Sequence, residues 1–320
     1  MNKIIIFSGD PSSINSEIIF KSWKKLKKNL KKRIYFLSNF NLLKAQFKKL
    51  KYNIRLRKVK SYREFFNNTD LKIIDVDIKF KNPFKINKKN SSKFVIKCLN
   101  LSHNLALQKD VSGIINCPID KNLLNKNNIG VTEYLAEKCK LKKNTEVMVI
   151  GNNKLKVSPL TTHINIRNVP KKINKKLIIG KVKIINYWFI NNFKKKPRIG
   201  LLGLNPHNGE FKKDSEEKRI IEPAIKHLKK LNIKIDGPLS ADTVFINNYK
   251  NYEVIVGMYH DQILGPFKSI FKYDAINITL GLKYIRVSPD HGTAKNLIGK
   301  NKANIKSFLE CINVLNKLSK

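Results

Sequence analysis

The chain contains no apolar run of 18 residues, so no transmembrane helix is expected. Its first apolar stretch, Ile4-Ile5-Ile6-Phe7, is too short for a signal peptide and reads as a buried strand entering a turn. Cysteine is sparse. Cys98, Cys117, Cys139 and Cys311 are scattered, with no CxxC pair, so neither a zinc ribbon nor a disulfide framework is suggested. A reduced, cytoplasmic setting is the expectation. Glycine is missing where a phosphate loop would need it. The segment Ser8-Gly9-Asp10-Pro11-Ser12-Ser13-Ile14-Asn15-Ser16-Glu17 sits where a dinucleotide fingerprint would sit, yet it holds one glycine. It is neither GxGxxG nor a Walker loop, and reads as a turn before a helix capped by Ser13 or Ser16.

Acidic residues are also few. Asp and Glu number 23 against 65 Lys and Arg, for a net charge of +42. Such a balance raises nucleic acid or an anionic membrane as partner. Arginine, however, is scarce. Arg33, Arg55, Arg57, Arg63, Arg167, Arg198, Arg219 and Arg286 are the only ones, and the other 57 cations are lysines. Base and phosphate readers lean on arginine for its bidentate geometry. The lysine runs, such as Lys24-Lys25 and Lys194-Lys195-Lys196, read as solvated faces. A nucleic-acid-binding protein is therefore a remote alternative, whose mark would be steeply salt-dependent affinity.

What is present is enough for a core: 42% of the 320 residues are hydrophobic, which allows one large or two medium domains. Strands are expected at Lys3–Ser8, Arg33–Ser38, Leu71–Val76, Gly113–Asn116, Glu146–Gly151, Arg198–Gly203, Val254–Met258 and Ala275–Leu280. Helices are expected at Ser16–Asn29, Ser92–Lys109, Val131–Cys139, Lys171–Phe193, Asp214–Leu231 and Ile305–Leu318. This alternation predicts an α/β fold with a largely parallel sheet.

Three histidines stand apart. His207, in Gly203-Leu204-Asn205-Pro206-His207-Asn208-Gly209-Glu210, and His260, in Met258-Tyr259-His260-Asp261-Gln262, follow the C-terminal ends of expected strands. Open α/β sheets place their sites there. His163, in Thr161-Thr162-His163, falls in an irregular polar segment before a helix. Three converging imidazoles would make a catalytic metal site; three separate structural histidines are the competing reading. His103 and His227 read as packing residues, and His291 as either a site or a turn residue. Lys268, Asn277 and Arg286 form a polar and cationic group suited to a small phosphorylated or carboxylated substrate.

Together with Gly237-Pro238-Leu239-Ser240-Ala241-Asp242-Thr243, Asn277-Ile278-Thr279-Leu280-Gly281-Leu282 and Asp290-His291-Gly292-Thr293-Ala294, these ordered phrases resemble the 4-hydroxythreonine-4-phosphate dehydrogenase family of vitamin B6 biosynthesis. The resemblance runs from Gly9-Asp10-Pro11 to the C-terminal helix. It implies two α/β/α subdomains flanking a cleft, similar to isocitrate and isopropylmalate dehydrogenases. The subdomains are expected at 1–130 plus 295–320 and at 131–294, in a homodimer whose site uses both subunits. It also implies a cytoplasmic enzyme oxidising a small phosphorylated substrate with NAD or NADP and a divalent metal, Zn, Mg or Co. His163, His207 and His260 would be metal ligands, and Thr132, Lys268, Asn277 and Arg286 substrate contacts. The family's usual Gly-His-Thr-Glu is here Gly130-Val131-Thr132-Glu133, so a side chain without hydrogen-bonding capacity replaces a histidine. That replacement keeps open a sister activity on a threonate or erythronate 4-phosphate.

Overall fold

The computed structural model describes residues 2–124, 130–141, 145–246, 248–272 and 274–318. Its twelve strands are β1 (Lys3–Phe7), β2 (Ile34–Ser38), β3 (Leu56–Val59), β4 (Leu71–Asp75), β5 (Val111–Asn116), β6 (Val147–Gly151), β7 (Lys156–Thr161), β8 (Ile199–Leu202), β9 (Ile235–Leu239), β10 (Val254–Tyr259), β11 (Ile276–Leu280) and β12 (Arg286–Pro289). Helices alternate with them, and the fold is α/β. The chain divides into two compact units, Met1–Leu141 with Leu282–Lys320, and Lys142–Gly281.

These borders differ from the expected 130/131 and 294/295. The helix Val131–Lys138 stays with the first unit because Leu135 is fully buried in that unit's core, among Phe94, Leu99 and Leu124. β12 stays there because it pairs with β5, Arg286 opposite Ile114 and Val287 opposite Ile115.

In the first unit the strand order is β3-β4-β2-β1-β5-β12, and every pair is parallel. β1 and β2 are near-continuous apolar runs, as strands covered on both faces must be. Phe94, from the helix Lys88–Ala106, lies edge-on to Phe7 of β1 at 6.3 Å between centroids. In the second unit the order is β11-β6-β7-β10-β8-β9. β7, β10, β8 and β9 run parallel, whereas β6 is antiparallel to both β7 and β11. The sheet is thus largely parallel, with an antiparallel flank. Ile263, Leu264 and Phe267, from the helix His260–Phe271, close the core over Val157, Leu202 and Ile255.

Several elements depart from expectation for local reasons. The helix expected from Lys171 begins at Lys175, because Asn174 caps it by accepting from Leu177 N at 2.9 Å. Within Asp214–Leu231 the residues Glu217–Ile221 form a π-helical turn, and the α-helix starts at Glu222. Pro223 has no N–H to close an α-helical bond at that joint. The first helix spans Asn15–Lys25 behind Ile14 and has no side-chain cap: Ser13 Oγ accepts from Asn15 N at 3.1 Å one residue before the cap position, and Ser16 lies inside the helix, so neither expected serine caps it. No helix among the described residues is long and apolar enough to cross a membrane.

One buried charge belongs to the fold. Lys72 on β4 is fully buried; its Nζ donates to Lys31 O at 2.9 Å and lies 4.9 Å from the Tyr35 ring centroid. Burial pulls its pKa down to about 8, and nearby Lys3 adds to the effect. The unfolded chain then binds more protons than the folded one above that value, so folding stability rises from about pH 8 to the ordinary lysine pKa of about 10.4. Lys72→Met should remove this contribution and be at least as stable at pH 7. Urea denaturation of both proteins across that range checks it. Parallel pH profiles would contradict the assignment.

Candidate functional site

Three sequence-predicted histidines follow three neighbouring strands. The order β7-β10-β8 is continuous and parallel, with Tyr259 opposite Thr161 and Val256 opposite Leu201. Neighbouring strands lie about 4.8 Å apart, so their C-terminal ends deliver the following residues to one edge of the sheet. His163 comes two residues after β7, His260 directly after β10, and His207 in the turn Pro206–Phe211 after β8. His163 therefore follows a strand too. That strand was not expected from the sequence, because Lys156, Ser158 and Pro159 break its apolar pattern.

The structure brings His163 and His260 together, with ring centroids 5.9 Å apart and planes tilted by 40°. His260 Nδ1 lies 2.6 Å from Asp261 Oδ1, which orients the ring and leaves Nε2 as its outward nitrogen. His207 stands on the adjoining strand end and is exposed. Among the described residues no three His, Cys, Asp or Glu side chains are gathered tightly enough to hold a metal ion. The donor set nonetheless suits a divalent ion. It consists of imidazoles alone, two already adjacent, all following the C-terminal ends of three parallel strands.

The turn bearing His207 is strained. His207, Asn208, Gly209 and Glu210 all have left-handed backbone angles, with φ of 49°, 57°, 67° and 49°. Glycine accepts this freely, but each L-residue there costs roughly 1–2 kcal/mol. A buried carboxylate holds the approach to the turn. Glu217 Oε1 accepts from Leu204 N at 2.7 Å and Asn205 N at 2.8 Å, and Oε2 accepts from Asn205 Nδ2 at 3.0 Å. Asn208 Nδ2 donates to Pro238 O at 3.0 Å. Burial pushes the Glu217 pKa up, but the bonds from Asn205, Leu204 and its own backbone outweigh it and leave the carboxyl below its usual range.

The expected substrate residues fall into two groups. In the first unit Arg286 is 3% exposed. Its Nε donates to Asn116 Oδ1 at 2.6 Å, and its Nη1 to Thr132 Oγ1 at 3.3 Å. Burial pulls its pKa down to about 10, so it remains a cation at neutral pH. Thr132 lies in the first turn of the helix Val131–Lys138. In the second unit Lys268 is exposed, two turns beyond His260 on the same helix. Asn277 lies on β11, and its buried Oδ1 has no hydrogen-bond partner among the described residues. An unsatisfied buried acceptor of this kind fits a polar ligand.

Sequence reasoning missed Asn116 and Glu217. Asn116 ends β5 and carried no motif signal; Glu217 was hidden inside an apparently regular helix. His103 pairs its Nδ1 with Tyr284 Oη at 2.9 Å, consistent with a packing role. His291 Nδ1 lies 3.0 Å from Gly292 O.

Glu217→Ala should cost about 3 kcal/mol of stability, because two buried backbone N–H groups lose their charged acceptor. Glu217→Gln should cost less. A carboxyl with a lowered folded pKa contributes fully above the unfolded value of about 4.3 and loses that contribution as pH falls through the folded one. The acid limb of the stability profile should therefore flatten in Glu217→Gln, and urea midpoints between neutral and acid pH measure it. An unchanged acid limb would contradict the anchoring role.

The sequence model of the family described as pyridoxal phosphate biosynthetic protein PdxA matches residues 29–315. A 4-hydroxythreonine-4-phosphate dehydrogenase from Sulfurihydrogenibium sp. is 39% identical, covering 98% of this chain and 97% of that protein. One from Aquifex aeolicus is 37% identical, covering 99% of each. A D-threonate 4-phosphate dehydrogenase from Salmonella typhimurium is 31% identical, covering 99% of this chain and 98% of that one. Among solved structures, the 4-hydroxythreonine-4-phosphate dehydrogenase from Klebsiella pneumoniae superposes with a TM-score of 0.87 at 28% identity over the whole of both chains. The chain belongs to the PdxA family and is an oxidoreductase of that 4-hydroxythreonine-4-phosphate dehydrogenase type.

Proposed function

We propose that this protein oxidises 4-phosphohydroxy-L-threonine with NAD or NADP to 2-amino-3-oxo-4-phosphooxybutanoate, which loses CO2 to give 3-amino-2-oxopropyl phosphate, a step of pyridoxine 5'-phosphate synthesis. The observation that carries the reading is the placement of His163, His207 and His260 on three adjacent parallel strand ends in a chain of this family. These three would hold a divalent ion, Zn, Mg or Co. When bound, the ion supplies Lewis acidity toward the substrate's 3-hydroxyl, and the nicotinamide supplies the hydride acceptor.

The chain's own residues set the stage. Asp261 fixes the His260 ring by its contact with Nδ1. Arg286, Thr132, Lys268 and Asn277 bind the substrate's anionic and polar groups. Arg286 is preorganised for this by Asn116 and Thr132, so little side-chain freedom is lost on binding. Decarboxylation follows from the product's own structure, because the new ketone is β to the carboxylate and accepts the developing negative charge. The enzyme is read as a cytoplasmic homodimer that takes a small phosphorylated substrate and binds neither membrane nor nucleic acid.

A second reading is a D-threonate 4-phosphate dehydrogenase. Val131, beside Thr132, favours it, since a residue without hydrogen-bonding capacity stands where the family usually has histidine. The two are separated by kcat/KM for each substrate, followed by NAD(P)H absorbance with added divalent metal. We expect the higher value with 4-phosphohydroxy-L-threonine; a higher value with D-threonate 4-phosphate would transfer the assignment, and turnover of neither by folded, metal-loaded protein would overturn both. His207→Ala should abolish metal-dependent turnover. Arg286→Ala should lower kcat/KM roughly 100-fold, mainly through KM, as expected for loss of a buried charged contact.

A further inference from the structure

His207 differs from His260 in how its ring is held. Asp261 orients the His260 ring, whereas the exposed His207 ring makes no hydrogen bond among the described residues. A metal-ligating imidazole normally has a partner that fixes its ring. For His207 that task falls to the backbone of its turn, and so to whatever holds the turn.

The turn is wound about one carboxylate. Glu217 is 1% exposed. Its Oε1 accepts from the backbone N–H groups of Leu204 and Asn205, and its Oε2 from Asn205 Nδ2. Such charge-assisted bonds are strong when shielded from water. Two glycines show how closely the turn wraps the carboxylate. A Cβ on Gly203 would fall 3.1 Å from Glu217 Oε1, and one on Gly209 would fall 2.8 Å from Oε2. Between these two contacts stand His207 and Asn208, both left-handed. Left-handed residues other than glycine persist only where the surroundings over-determine them. Glu217 also opens the π-helical turn Glu217–Ile221, an irregularity that recurs at functional positions.

We propose that Glu217 is a positioning residue for His207: its carboxylate fixes the left-handed turn in the conformation that presents the imidazole to the divalent ion. The proposal rests on the reading of His207 as an ion ligand, and it holds whichever subunit supplies the other ligands. A purely structural anchor would contribute to stability and leave ion affinity unchanged.

The test is zinc titration of metal-stripped protein by calorimetry, with thermal melting of the same samples, in wild-type and His207→Ala backgrounds. Glu217→Gln keeps the shape and one oxygen but sets an N–H donor against Asn205 Nδ2. Asn205→Ala removes the side-chain bonds to Glu216 and Glu217, lies outside the π-helical turn, and carries the test if Glu217→Gln does not fold. The zinc Kd should rise roughly 10- to 100-fold in Glu217→Gln, and in the same direction in Asn205→Ala. In the His207→Ala background the same substitutions should leave Kd where His207→Ala alone puts it, because their effect runs through that imidazole. A wild-type Kd in the folded variants would overturn the proposal, whether or not their melting temperatures fall. An equal rise in both backgrounds would overturn it too. Zinc binding by wild type no tighter than by His207→Ala would instead bring down the ion-ligand reading of His207, and this proposal with it.

Discussion

Parallel pairing of β7, β10 and β8 is the constraint on which the rest of the site depends. A parallel ladder aligns the C-terminal ends of its strands, so whatever follows each strand emerges at one edge. The histidines are 44 and 53 residues apart along the chain, yet each is brought to that edge by the same backbone geometry. The all-apolar β10 makes this possible, because its residues Val254 to Met258 are buried and leave it no choice but the interior of the sheet. The polar chemistry is confined to what comes after: a helix start at His260, a strained turn at His207, and a left-handed residue at His163.

Charge is used sparingly in a chain that has so much of it. The lysines that produce the +42 contribute a diffuse positive field, which attracts anions at long range without selecting among them. In the proposed function, selection falls to rarer groups. Arg286 is buried and braced by the neutral partners Asn116 and Thr132. Burying a cation in this way costs free energy, and its lowered pKa records that cost. Glu217 illustrates the opposite balance: its burial is outweighed by backbone donors, and the carboxylate becomes an anchor for a turn that would otherwise be strained without support. In both cases the fold holds a charged group in place before any ligand arrives.

The regular parts of this architecture were legible in the sequence, because all eight expected strands and the main helices follow apolar periodicity. The four strands that were not expected share a physical reason. β3 is four residues with two adjacent cations, Arg57 and Lys58, at its centre, β7 and β9 contain Pro159 and Pro238, and β12 ends on Pro289 with a buried arginine at its start. Pairing with neighbours, not intrinsic preference, makes them strands. The histidines were legible from their motifs, but the adjacency of the strands that carry them was not. With β7 invisible, His163 seemed to stand in an irregular segment, and strand order is a tertiary property that spacing does not carry. The bonds from Gln262 Nε2 to Gly203 O and from Thr161 Oγ1 to Met258 O were not legible for the same reason, since they join residues 59 and 97 apart.

The central claim is that the imidazoles carried at three adjacent strand ends are ligands of a divalent-ion site. Diffraction from zinc-loaded crystals, recorded at the zinc absorption edge, tests it most directly. The account predicts one anomalous peak per subunit, at the strand ends that carry the histidines, with a nitrogen each from a His163, a His207 and a His260, drawn from either subunit of the dimer, about 2.0–2.1 Å away. A peak elsewhere in the molecule, or one from which any of the three imidazoles is turned away, would contradict it.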